Sequence, residues 1–209
     1  MTALTSLSHY QRRKEKTRHD LLLAARKVLA EKGYYGSKIV DIAKAADIGV
    51  GTFYLYFPTK DALFLELVED AARLLKKDID TARDTAVDPV DKLRAANKTF
   101  FHFVQANREV FKIIFGHGNA FNELLRQVYA LFVADATERV QEGIAQGAFR
   151  PVPVPIVANG LVGMAAQVVS WWIEQEEFSA DEMAETMTDM ALYGLARSLP
   201  VSCIDSGKK

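Results

Sequence analysis

Apolar residues recur along this chain at helical rather than strand spacing. From Thr17 to Lys32 they place Leu21, Leu22, Ala25, Val28 and Leu29 on one face, and Gly33 ends the run. A short helix follows over Ile39 to Ala46, with Ser37 as its expected N-cap. Asp47-Ile48-Gly49 reads as a tight turn, and Val50 to Phe57 as a second short helix stopped by Pro58. Thr59 then caps a long helix running from Lys60 to about Asp84. Asp88-Pro89 opens another that ends near Asn107, with the acid at the cap and the proline at the first helical position. Arg108 to Phe115 is short, Gly116-His117-Gly118 breaks the chain, and Asn119 to Gln146 is long and closed by Gly147. A proline-rich connector, Arg150 to Pro155, leads into Ile156 to Gln175, and Ser179 caps a last helix to about Ser198. With no convincing strand and no internal repeat, the pattern predicts an all-α chain of about nine helices. It divides into a head, residues 1–58, and a helical body, residues 59–209.

The region between Arg150 and Glu174 contains no charged residue and is long enough to cross a bilayer. It opens on Pro151, Pro153 and Pro155 and carries Asn159, Gln167 and Ser170, so it is read as a buried helix of a soluble protein, with no membrane partner. The chain has 209 residues, 49% hydrophobic and 25% charged, which is ordinary for a globular protein with a substantial core. Its single cysteine, Cys203, excludes an intrachain disulfide and suits a cytoplasmic setting. Net charge is −1, but residues 1–60 hold 11 Lys/Arg against 5 Asp/Glu, whereas residues 61–209 hold 15 against 22. A basic head on an acidic body points to a polyanionic partner for the head.

Two short helices with a tight turn, preceded by a longer helix, form a helix-turn-helix candidate, whose second helix must project from a compact three-helix unit. Ile39, Ile42, Ala43 and Ile48 are its expected inner set, and Phe53 and Phe57 are also read as core. The run from Gly33 to Leu63 closely resembles the N-terminal domain of the TetR/AcrR family of bacterial transcriptional regulators. The match lies in Gly33, Ser37, Asp41-Ile42-Ala43, Ala46, Ile48, Gly51-Thr52-Phe53-Tyr54, Tyr56-Phe57, Lys60 and Leu63, without a gap. Three positions depart from the family pattern. Asp47 stands where the turn usually has glycine, Gly49 where the second helix usually starts with Ser or Thr, and Lys38 where a small hydroxyl residue is common. Asp tolerates a left-handed backbone and Gly is an acceptable cap, so the turn survives.

The resemblance implies a homodimer that represses transcription at a double-stranded DNA operator and releases it when a small molecule binds the body. In the head, Lys38 is expected on phosphate, Val50 on a thymine methyl, and Gly51 at a close backbone approach. Thr52 is expected on a base edge or phosphate, and Tyr54 and Tyr56 on phosphate through their hydroxyls. Leu55 is assigned to core or groove, and Lys60 to a phosphate at a helix N-terminus. Arg12, Arg13, Lys14, Lys16 and Arg18 are read as a basic arm along the minor groove or as a solvated tail. In the body, Phe100, His102, Phe103, Phe111, Phe115, His117, Phe121, Tyr129, Gln167 and Trp171 are the candidates for lining an apolar or aromatic effector site, with ordinary core as the alternative. Asn107 and Asn159 are further polar candidates. The last two helices, with Ala158, Gly160, Gly163, Ala165 and Ala166 and a stripe of Met183, Met187, Met190 and Leu195, are read as the dimer interface. No cofactor or metal is expected. Of the four histidines, His9, His19, His102 and His117, none has metal-ligand spacing, and no nucleophile elbow, P-loop or zinc-protease motif occurs, which argues against an enzyme. A constitutive DNA-binding protein, or an activator, remains an alternative.

Overall fold

The structure, a computed structural model, describes residues 2–115, 123–175 and 177–195, with side chains from residue 11 onward except 116–124, 176 and those after Gly194. Among the described residues it contains nine helices and no strand: α1 (Thr2–Gly36), α2 (Ile39–Ala45), α3 (Val50–Tyr54), α4 (Lys60–Asp84), α5 (Pro89–Ala106), α6 (Arg108–Phe115), α7 (Glu123–Ala145), α8 (Val154–Trp172) and α9 (Ala180–Leu195). Residues pack into two compact units. Met1–Ala71 with Glu109–Leu125 form one, and Ala72–Arg108 with Arg126–Lys209 the other.

The first unit is built on α1. Leu21, Ala24, Ala25, Val28 and Leu29 are buried along one face, as the periodicity predicts. The helix starts earlier than expected. Gln11 to Lys16 are helical and exposed, so the basic residues 12–18 are not an extended arm before α1. Their type explains this, because Arg, Lys, Gln and Glu lose little side-chain freedom in a helix. Gly33, at φ 69°, kinks the chain where the sequence pattern stops it. Ser37 does not cap α2. Its hydroxyl donates to the Tyr34 carbonyl at 2.9 Å, and Lys38 is the cap residue. The Asp41 carboxylate accepts from the Lys38 backbone N–H at 3.1 Å, which closes that end of α2. Asp47, at φ 53°, turns the chain between α2 and α3, taking the left-handed conformation for which its side chain is suited.

In the second unit, α5 packs against α9. Asp88 caps α5 by accepting from the backbone N–H groups of Val90 (2.9 Å) and Asp91 (3.0 Å). Ser179 caps α9 reciprocally with Glu182, whose carboxylate accepts from the Ser179 N–H at 2.8 Å. Met183 and Met187 are buried and only Met190 of the expected stripe is exposed, while the Leu195 side chain lies outside the described residues. The inward turn of the first two methionines follows from the packing of α9 on α5, which takes up that face. The Gly116-His117-Gly118 break also lies outside the described residues.

The uncharged helix α8 departs most from expectation. It is long and apolar enough, by length and composition, to cross a membrane. Yet it is not a buried helix, since only Ala158, Val169 and Trp172 of it are buried within the chain. Ile156 is 72% exposed and Trp171 47%. Apolar periodicity reports that a face is covered without saying whether the same chain covers it. The C-terminal end of α8 is held by Arg108, whose guanidinium donates to the carbonyls of Ile173 (2.9 Å), Trp172 (3.0 Å) and Gln175. A cation there satisfies orphan carbonyls and complements the helix dipole.

Gly143 of α7 allows the Phe149 ring to fold back on its helix, because a Cβ at this glycine would fall 2.1 Å from the ring. Alanine is the better helix former by about 1 kcal/mol. The collision reverses that sign, so Gly143→Ala should destabilise by about 1–3 kcal/mol. Thermal melts check this directly, and in a Phe149→Ala background the same substitution should become stabilising.

Candidate nucleic-acid interface

The second helix of the turn is only five residues long, too short to be stable alone. It is held by burial of Phe53 and Phe57, whose rings lie 5.9 Å apart, together with Ile42 and Ala43 of α2. Ile39 and Ile48, expected in the same inner set, are half-buried. Burying the two phenylalanines contributes roughly 1.5–3 kcal/mol each.

What this packing leaves outside is informative. Val50, Tyr54 and Leu55 are 38%, 53% and 79% exposed. Three apolar or aromatic side chains on one short helix and at its C-cap remain uncovered while their neighbours Phe53 and Phe57 are fully buried. Leu55 is therefore not core. Thr52 and Tyr56 are half-buried, and Lys38 is exposed. Neither Gly49 nor Gly51 is required by packing, since a Cβ at either position would meet nothing within 4 Å. Val50, Gly51, Thr52, Tyr54, Leu55 and Tyr56 thus occupy α3 and the residues just after it, and Lys38 the cap position before α2.

Lys60 departs from the expected phosphate role. Its ammonium donates to the carbonyls of Tyr34 (2.6 Å) and Ser37 (3.0 Å) and lies 4.2 Å from the Tyr34 ring centroid. The first residue of α4 is thereby tied to the end of α1. Burial pushes its pKa below the ordinary lysine value. Arg18, assigned to the basic arm, is also committed inside the unit, in a forked pair with Glu66 of α4.

The body candidates do not form one group. Phe100 and Phe103 pack with Phe132 against Leu75, Ile79 and Ala96, within the second unit. Phe111 and Phe115 stack with centroids 6.3 Å apart in the first unit. His102 is on the surface, where its Nε2 lies 3.0 Å from Asp181, because the ring follows the exposed side of α5 beside the first turn of α9. Gln167 is exposed, and Trp171 lies on the surface against Phe178. The adjacent Trp172 is buried, with Nε1 donating to the Phe178 carbonyl. Tyr129 donates to the Asn159 carbonyl at 3.3 Å. Asn107 and Asn159 donate to carbonyls of their own helices. His117 and Phe121 lie outside the described residues.

Sequence reasoning missed a charge cluster in the second unit. The buried Asp135 faces Lys76 (3.2 Å) and Arg139 (2.9 Å), and Glu142 accepts from Lys92 (2.5 Å) and Arg83 (3.3 Å). The i,i+4 spacing of Lys76 with Asp80 and of Asp135 with Arg139 was the available signal.

An all-α protein that projects the second helix of a helix-turn-helix, with apolar groups bared on it, belongs to the class of DNA-binding regulators. Comparison with known families is specific. Residues 21–67 match the N-terminal domain of the bacterial regulatory proteins of the tetR family, and residues 86–195 match the tetracyclin repressor-like C-terminal domain. The chain belongs to the TetR family, as a DNA-binding transcriptional regulator. It is similar to the transcriptional activator FasR of Mycolicibacterium smegmatis, 23% identical over 88% of this chain and 84% of that protein. Among solved structures, FadR of Bacillus subtilis in complex with stearoyl-CoA superposes with a TM-score of 0.76, at 19% identity over 84% of this chain and 98% of that one. AibR, solved with isovaleryl coenzyme A and operator DNA, superposes with a TM-score of 0.67, at 21% identity over 83% and 97%.

Asp41 supplies an acid-sensitive element in the head. Its carboxyl is held below the ordinary aspartate value by the hydrogen bond from Lys32 and then by the Lys38 N–H. A depressed folded-state pKa stabilises above the unfolded value, and that stabilisation is lost as pH falls through the folded one. Asp41→Asn should therefore lower stability at neutral pH, with the difference from wild type vanishing in acid, as melting temperatures measured from neutrality into the acid range would show.

Proposed function

We propose that this protein binds a palindromic operator as a homodimer and is released from it by a small apolar or aromatic effector. The observation that carries the reading is the exposure of Val50 and Tyr54 on α3 and of Leu55 at its end, above a buried Phe53 and Phe57. Residues 1–58 act as the DNA-binding head and residues 59–209 as the effector and dimer body. Val50 and Leu55 meet base edges in the major groove, Gly51 admits close backbone approach, and Thr52 donates to a base edge or phosphate. Lys38, Tyr54 and Tyr56 hold phosphates. Lys60 serves mainly to seat α4.

Dimerisation through α8 and α9 is supported by their uncovered apolar surface, including Ile156, Trp171, Phe178 just before α9, Met190 and Tyr193. A second copy of the chain accounts for an uncharged face that this chain leaves bare. Two heads related by a two-fold axis then read two half-sites about one helical turn apart. The aromatic cluster of Phe100, Phe103 and Phe132 supports an apolar effector, in keeping with the acyl thioesters bound by the two solved relatives. Effector binding shifts α4 and alters the head spacing. A coupling of about 1–3 kcal/mol would lower operator affinity roughly 5- to 150-fold. The regulator acts in the cytoplasm, where its DNA is.

The test is selection of duplexes from a random pool by the purified protein, followed by titration with stearoyl coenzyme A. An enriched inverted repeat, released as ligand is added, is the expected result. Enrichment without an inverted repeat would refute the two-fold reading, and tighter binding with ligand would refute release. Val50→Ala should change the enriched sequence, whereas Tyr56→Phe should weaken all duplexes about equally. In sedimentation, Ile156→Glu should turn the dimer into a monomer.

A further inference from the structure

We infer that Arg18 is a positioning residue for the recognition helix, and that Glu66 of α4 holds it in place. The inference rests on the reading of α3 as the helix that meets DNA. Arg18, on α1, touches both α4 and the segment that follows α3. Its Nε donates to Glu66 Oε1 at 2.6 Å, and a terminal nitrogen pairs with Glu66 Oε2. The other terminal nitrogen donates to the Tyr56 carbonyl at 3.4 Å. The guanidinium carbon lies 4.7 Å from the centroid of the Phe57 ring.

The forked contact with Glu66 suits arginine and not lysine. A planar fork matches a carboxylate with two parallel hydrogen bonds, and the same plane rests on an aromatic face. The Tyr56 carbonyl belongs to the turn just beyond the end of α3. The two residues that Arg18 holds, Tyr56 and Phe57, directly follow the exposed Tyr54 and Leu55. A helix of five residues has no means of fixing its own tilt, so its exit is set by what grips that end. Phe53 and Phe57 supply the apolar half of that grip, and Arg18 with Glu66 the polar half.

The competing view is that Arg18, half-exposed in the basic part of α1, is an ordinary phosphate contact and Glu66 a bystander. The two views predict opposite signs. If Arg18 meets phosphate, removing the nearby negative charge in Glu66→Gln strengthens DNA binding, and Arg18→Met lowers the salt slope by about one. If Arg18 positions α3, both variants weaken binding to the selected duplex by about five- to tenfold, as expected when a charge-assisted hydrogen bond is lost. Their salt slope and their affinity for a scrambled duplex stay at the wild-type values.

The experiment measures affinity for the duplex enriched by wild-type protein, and for its scrambled counterpart, across a salt series. Arg18→Lys, Arg18→Met and Glu66→Gln are compared with wild type in the full-length protein. Arg18→Lys keeps the charge and the stem but cannot form the fork, so it serves if Arg18→Met fails to fold. The expected result is a selective loss on the enriched duplex in Arg18→Lys and Glu66→Gln. Unchanged or tighter binding by Glu66→Gln overturns the inference, and so does an equal loss on both duplexes. If wild-type protein enriches no sequence at all, the DNA-binding reading of α3 falls first and the inference falls with it.

Discussion

Burial of Phe53 and Phe57 is the constraint on which the head depends. A five-residue helix cannot nucleate and persist by its own hydrogen bonds. It exists because two aromatic side chains, spaced four apart, are buried as it packs on α2, while Tyr54 and Leu55 between them stay outside. The same two rings thus define the core and, by exclusion, the surface that can meet DNA. Around them the polar contacts are arranged as fasteners. Lys60 ties the start of α4 to the carbonyls at the end of α1 and before α2, and Arg18 ties the end of α3 to the second turn of α4. Two cations that composition counts toward a basic, DNA-seeking head are in fact committed to the head's own geometry.

The body follows a different logic. Its apolar aromatics Phe100, Phe103 and Phe132 share a cluster with aliphatic residues of α4 and α5. Beside them, α4, α5 and α7 are joined by ion pairs centred on Asp135 and Glu142. Asp135 is the buried member, so removing its cationic partners would leave a buried charge uncompensated. The surface of α8 is the reverse case, with no charged residue and much exposed apolar area.

Helix number, order and most boundaries were legible from residue pattern because caps and periodicity are local. Asp88-Pro89, Thr59, Ser179, Gly33 and Gly147 mark chain positions whose backbone chemistry does not depend on distant partners. The family was legible for the same reason, since the helix-turn-helix is a contiguous run with fixed internal spacing. Lys38, Val50, Gly51, Thr52, Tyr54, Leu55 and Tyr56 were identifiable as a group because they are close in sequence.

What the pattern alone could not assign was the partner of each side chain. Arg18 and Lys60 look like free basic residues until Glu66 and the Tyr34 and Ser37 carbonyls are brought beside them. His102 looks like a scarce polar group in an aromatic helix until Asp181 places it at the surface. The α8 face looks like core because hydrophobicity records burial without recording who provides it. The sequence by itself determined the helices, most of their caps and the helix-turn-helix, all of which depend on neighbours within a turn or two of chain. Tertiary structure alone decided which cations face outward, which aromatics share a core, and which apolar face stays bare, because those outcomes depend on residues dozens of positions apart meeting in space.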